Sequence, residues 1–203
     1  MEATINSIFP TPIYISKLDR ELTPLELKFV DKNKKDFYKN DGNITSSNNY
    51  ILNEKPFDNI KKELDLKVQD YFDKVISPAN NITPYITQSW LNYTETNQYH
   101  HKHAHPNSLV SGVFYINCDD KFDKIKFFND TYKTIKPDVK DWNIWNSESW
   151  WFSVKTGDII LFPSSLTHMV ETKKGTNTRI SLAFNVFIKG TVGNNKSLTE
   201  LIL

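Results

Sequence analysis

The chain is short of several things, and each shortage excludes something. One cysteine in 203 residues, Cys118, rules out an internal disulfide and fits a reducing compartment. Its place near a strand end suits a small packing residue better than a nucleophile. Glycine is scarce at six residues, and none builds a phosphate-cradling loop. Neither charge sign dominates: 25 Lys and Arg against 24 Asp and Glu leave a net charge of +1. That balance gives no signal for a nucleic-acid or membrane partner. No apolar run approaches the roughly 20 residues that span a bilayer. The opening "MEATINSIFPTPIYISKL" has no basic stretch followed by an apolar one, so no signal peptide is expected. No Ser-His-Asp, Cys-His or paired-carboxylate arrangement is evident. These absences leave a soluble cytoplasmic protein as the expectation, with one domain over residues 1–203.

What is present divides near residue 84. The entry "SIFPTPIYISKL" is apolar, but its two prolines confine it to an edge strand or an irregular entry. A helix is expected from "TPLE", where Thr23 caps, Pro24 takes the first helical position and Glu26 completes a capping box. It fades through "KNKKDFYKN" to a turn at residues 40–43. A second helix is expected from Asn53 to about Ile76, with Phe57, Ile60, Leu64, Val68, Tyr71, Phe72 and Val75 on one face. Beyond residue 84 the segments 85–94, 108–117, 124–129, 150–155, 158–163 and 179–188 all read as strands. Helices first and strands after predict a mainly β protein with bracing helices (α+β), an antiparallel sandwich or barrel. The helical part covers about 20–80 and the β core about 84–190. Residues 129–149 form a long insertion carrying Tyr132, Trp142 and Trp145, of a length that often serves as a lid, with simple disorder as the alternative.

Four of the five histidines fall in "HHKHAH", residues 100–105. If that stretch is extended, His101, His103 and His105 share a face and His100 takes the other. A His-x-His pair places two imidazoles on one metal ion, although a polar loop would look the same. His168 follows a strand and a Pro-Ser turn, and Arg179 opens Arg-x-Ser with Ser181 on its face. Phe184 and Val186 are expected to continue an apolar surface around that pair. An arginine in an apolar strand needs an anion, because an unpaired buried charge is very costly. An internal carboxylate would serve, and so would a ligand carboxylate held bidentately.

The order His-x-His, distal histidine, Arg-x-Ser resembles the iron(II)- and 2-oxoglutarate-dependent oxygenases, a prolyl-hydroxylase-like superfamily. More narrowly it is similar to a 2-oxoglutarate/iron(II) oxygenase group of bacteria and phages. The matching phrases are "IFPTPIY", "SWLNYT", "HAHPNSLVSGVFYIN", "GDIILFPSSLTHMV" and "TRISLAFN", in order across residues 8–188. The resemblance implies a double-stranded β-helix (jelly-roll, cupin-like) core with the N-terminal helices packed on it. It implies Fe(II) on His103 and His168, with Arg179 and Ser181 holding the far carboxylate of the cosubstrate 2-oxoglutarate. Where most of the superfamily has Asp or Glu, this chain has His105, which shares His103's face and is expected to complete a three-histidine site. Asn92 and Tyr115 would point inward beside the cosubstrate, or be satisfied barrel residues. His100 and His101 are assigned to the surroundings of the site.

The reaction implied is hydroxylation of a small-molecule or peptidyl substrate with O2, releasing succinate and CO2. Two other readings stand beside it. One is a three-histidine cupin-like dioxygenase without 2-oxoglutarate, which would leave Arg179 without a guest. The other is a non-catalytic jelly-roll binding or structural module. Trp142, Trp145, Trp150 and Trp151 surround the insertion and are candidates for the cavity mouth.

Overall fold

A computed structural model describes residues 2–131 and 135–203. Tyr132, noted above in the insertion, lies outside the described residues. Twelve strands form two antiparallel sheets among these residues. The larger has the order β1 (Tyr14–Lys17), β9 (Asp158–Pro163), β6 (Val110–Asn117), β11 (Arg179–Val192), β4 (Ile82–Thr94), β3 (Ile44–Ser46) and β2 (Phe37–Lys39). A short β12 (Leu201–Ile202) pairs with the far end of β11. The smaller sheet has the order β5 (His100–His103), β10 (His168–Val170), β7 (Lys124–Phe128) and β8 (Ser149–Ser153). Every strand segment expected from the sequence is present, and the proline-flanked first strand is an edge, as expected.

Two helices brace the larger sheet. Helix α1 (Pro24–Asn33) begins with the expected capping box: Thr23 Oγ1 accepts from the Glu26 N–H, and the Glu26 carboxylate accepts from the Thr23 N–H. The same carboxylate, almost fully buried, is clasped by Arg20 at 2.6 and 2.8 Å. Those hydrogen bonds outweigh the cost of burial and hold Glu26 below the usual carboxylate range. Helix α2 (Asp58–Tyr71) buries Ile60, Leu64, Val68 and Tyr71, the three-four spacing seen in the sequence. A π-helical turn, Phe72–Ile76, ends it at Ser77 in the left-handed region.

Helix α1 is shorter than expected. It stops at Asn33, and Phe37–Lys39, the part read as fading helix, is β2 in a hairpin with β3 around the 40–43 turn. Gly42 lies in that turn at φ +91°, which only glycine adopts freely.

Strand parity sorts the core. Leu91 and Tyr93 of β4, Phe114 and Ile116 of β6, Ile159 and Leu161 of β9 and Leu182 of β11 face the helices in the main core. Phe184 and Val186 belong there too, so they do not flank Arg179: even-numbered side chains of β11 point away from its odd-numbered ones. Gly112 lets this layer close, since a Cβ there would lie 2.1 Å from the Phe184 ring. A second core of Tyr115, Ile125, Phe127, Val154, Ile160 and Phe162 fills the space between the sheets. The candidate site lies beside it.

Candidate metal centre and cosubstrate pocket

The smaller sheet supplies the imidazoles. His103 ends β5 and His168 opens β10, and the two are directly paired across the strands. His105 sits in the turn after β5, where its N–H donates to the carbonyl of Ser164 at 3.0 Å. A chain of hydroxyls fastens that turn: Ser111 Oγ to Ser164 Oγ at 2.9 Å, then Ser164 Oγ to Ser108 Oγ at 2.7 Å. The His105 ring stacks on His168 at 5.2 Å and on Trp90 at 5.8 Å. One ring nitrogen from each of His103, His105 and His168 lies within 4.8 Å of the others.

Protonation suits these rings to a metal. His103 Nδ1 donates to the His101 carbonyl at 2.8 Å and His168 Nδ1 to the Leu166 carbonyl at 3.0 Å. A backbone carbonyl can only accept, so each Nδ1 carries the proton and each Nε2 keeps its lone pair. Burial, together with the neighbouring imidazoles, disfavours the cation. It pulls His168 down to about 3 and His105 to about 4, and lowers His103 as well. Three neutral, preoriented imidazoles are a donor set for iron, zinc, nickel or copper, which imidazole suits alike.

The larger sheet supplies the polar wall. Arg179 is 2% exposed, yet its Nε and Nη1 have no hydrogen-bond partner, and among the described residues no carboxylate pairs with it. Of the two anions the sequence allowed, the internal one is therefore absent from the described residues. On the same face of β11, Ser181 stands directly opposite both Asn92 of β4 and Tyr115 of β6. Asn92 Oδ1 is likewise buried and unpartnered. Burial raises the Tyr115 phenol, which stays a neutral hydroxyl. Trp90, Val113, Ala183 and Phe162 complete the cavity wall.

One residue departs from the expected geometry. Between His168 and Val170 β10 advances two residues while β5 advances three, from His103 to His100. The extra residue is a β-bulge, and it turns His100 onto the same face as His103. The two rings stack at 4.6 Å and 16°, and His100 lines the cavity instead of facing away from His103's side. Cys118 is half-buried with its thiol pushed up by burial, which fits the packing role read from the sequence.

The stretch that carries this constellation, residues 88–185, matches a protein family described as "Putative 2OG-Fe(II) oxygenase". Over that stretch, just under half of its length, the chain matches the 2OG-Fe(II) oxygenases. All seven residues singled out from the sequence, Asn92, His103, His105, Tyr115, His168, Arg179 and Ser181, fall within the matched stretch. No curated protein matches the chain in sequence. Solved oxygenase structures share its architecture. HygX from Streptomyces hygroscopicus, solved with nickel, 2-oxoglutarate and hygromycin B bound, aligns over 87% of this chain and 82% of its own, at 12% identity and a TM-score of 0.55. A prolyl hydroxylase from Trichoplax adhaerens, in complex with a hypoxia inducible factor peptide fragment, aligns over 86% and 83%, at 14% identity and a TM-score of 0.56. A 2OG-Fe(II) oxygenase family oxidoreductase from Burkholderia pseudomallei aligns over 79% and 76%, at 12% identity and a TM-score of 0.55. At such identities the likeness is one of fold, the double-stranded β-helix. Among the described residues, no helix is long and apolar enough to cross a membrane.

Proposed function

We propose that this chain is a 2OG-Fe(II) oxygenase that hydroxylates a small-molecule or peptidyl substrate at a centre where His103, His105 and His168 hold iron(II). Arg179 and Ser181 anchor the distal carboxylate of 2-oxoglutarate, with Asn92 and Tyr115 alongside. The observation that carries the reading is Arg179: a fully buried guanidinium with two idle nitrogens, beside three converging imidazoles. Such a cation needs an anion brought from outside, and a carboxylate meets its fork bidentately. When bound, iron and 2-oxoglutarate supply the oxidation, in which O2 delivers one oxygen atom to the substrate and the other to succinate as CO2 leaves.

The chain's own residues do the rest. The carbonyls of His101 and Leu166 fix the two ring tautomers, and the Ser108–Ser164–Ser111 hydroxyls hold the His105 turn in reach. Val113, Ala183 and Phe162 keep bulk water from the cavity. That cavity, about 40 Å³ as traced by the centre of a water-sized sphere, holds about three waters and opens to solvent. Met169, unbranched and only partly buried, has the freedom to move.

A broad trough, lined by Ile8 and Phe9 of the N-terminal arm and by Trp145 and Trp150 around the insertion, opens beside the smaller sheet. We assign substrate capture to that trough, within a single domain spanning residues 1–203 and acting in a reducing, cytoplasmic setting. Titration of 2-oxoglutarate into anaerobic iron(II)-loaded protein, beside Arg179→Ala and His168→Ala, tests the function. Binding that requires both the metal and Arg179 supports it. Correctly folded, metal-loaded protein that binds none overturns it, and leaves the three-histidine dioxygenase or the non-catalytic module.

A further inference from the structure

The bulge in β5 spends a backbone irregularity on bringing His100 into the cavity, and the assignments above give that ring no task. Its surroundings define its chemistry. Asn40, in the β2–β3 turn, donates from Nδ2 to Asn43 Oδ1 at 3.0 Å, and the same Nδ2 lies 3.3 Å from His100 Nε2. Asn43 in turn reaches Thr94 Oγ1 of β4 at 3.5 Å, and the Asn40 N–H donates to the Asn43 carbonyl at 2.9 Å. An amide nitrogen can only donate, so His100 Nε2 is the acceptor and Nδ1 carries the proton. No acceptor among the described residues meets that Nδ1–H. The ring lies against His103, and it lines the same cavity as Arg179 and His168. It therefore flanks the path between the imidazoles and the guanidinium.

We propose that His100 is a cosubstrate-binding residue: a non-ligating imidazole, held by the Asn40–Asn43 amide pair as the Nδ1–H tautomer, that donates a hydrogen bond to a carboxylate of the bound 2-oxo acid. This rests on the oxygenase reading above. His100, His101 and His103 also bring ring nitrogens within 4.8 Å of one another and resemble a second metal site. The hydrogen bonds argue against that use. His103 Nδ1 is committed to the His101 carbonyl, so its one free nitrogen belongs to the triad, and His100 Nε2 is committed to Asn40.

Two amide substitutions separate donation from scaffolding, because an asparagine amide falls where Nδ1 stands and a glutamine amide where Nε2 stands. The experiment is calorimetric titration of 2-oxoglutarate into anaerobic iron(II)-loaded wild type, His100→Leu, His100→Asn and His100→Gln, with bound metal counted in each. Loss of a hydrogen bond to a charged group weakens binding about 10- to 100-fold. The expected result is that loss in the leucine and glutamine variants, near-wild-type affinity in the asparagine variant, and one metal per chain throughout. Rescue by glutamine and not by asparagine would make His100 a prop for the β2–β3 turn and sink the proposal. So would unchanged affinity in all three, or a metal lost with His100. A wild type that holds metal but binds no 2-oxoglutarate removes the oxygenase reading and this proposal together. A wild type that binds with unaltered variants removes only this one. The asparagine–glutamine contrast decides even if the leucine variant fails to fold.

Discussion

At the scale of single residues the fold moves several groups away from the titration they show in water. Burial pulls His100 to about 2, His168 to about 3 and His105 to about 4, so all three are neutral in the fold across the physiological range. In the unfolded chain they titrate near 6.5. Below that value the unfolded state takes up protons the native state refuses, so acid favours unfolding. The metal-free protein should lose stability from about pH 6.5 downward, by up to about 1.4 kcal/mol per pH unit for each histidine in that window. Denaturant midpoints at pH 7.5, 6.5 and 5.5 measure it, and a flat profile would contradict the buried-neutral assignment. Gly112 is a steric counterpart. Gly112→Ala sets a methyl against the Phe184 ring and should cost about 1–3 kcal/mol, read as a lower midpoint in urea. The seven candidate residues, which line one cavity, could be named from the sequence because residue type and order carry them. The place of His100 in that cavity could not, because a bulge is a property of strand register and leaves no mark on the composition of "HHKHAH".

At the scale of elements, legibility followed the strength of the local signal. Helix α2 shows its apolar stripe directly, and α1 announces its start through Thr23, Pro24 and Glu26. Its end is unmarked: Lys34 takes the cap position with no glycine, and the lysine-rich run beyond has neither helical nor strand periodicity. Pairing with β3, itself bonded to β4, makes Phe37–Lys39 a strand, a tertiary effect invisible locally. The parity of Phe184 and Val186 could have been counted from Arg179, and the count places them on the helix side. The capping box carries its own test. Thr23→Ala removes the acceptor for the Glu26 N–H and should cost about 1 kcal/mol, lowering Tm by about 2–4 °C. An unchanged Tm would mean that the Arg20–Glu26 pair alone fixes the helix start.

At the scale of the whole molecule, the candidate site joins the two sheets beside the core of Tyr115, Ile125, Phe127, Ile160 and Phe162 that they share. The imidazoles come from the smaller sheet and the guanidinium wall from the larger, so a ligand spanning them adds a tie between layers. Iron(II) or nickel(II) at about 100 times its dissociation constant should stabilise the fold by about 2.7 kcal/mol, raising Tm by about 5–10 °C. His168→Ala should abolish that gain, and a gain that survives it would place the metal elsewhere. The pairing of β4 with β11 sets Arg179 opposite Thr94, two positions far apart along the chain. Loop-closure entropy makes such a ladder slow to form. During synthesis His103 and His105 emerge long before His168, and Arg179 follows only after it. A growing chain therefore has no third candidate histidine until β10 is made and no buried guanidinium until its last long strand follows, so the candidate site cannot assemble while the chain is half built.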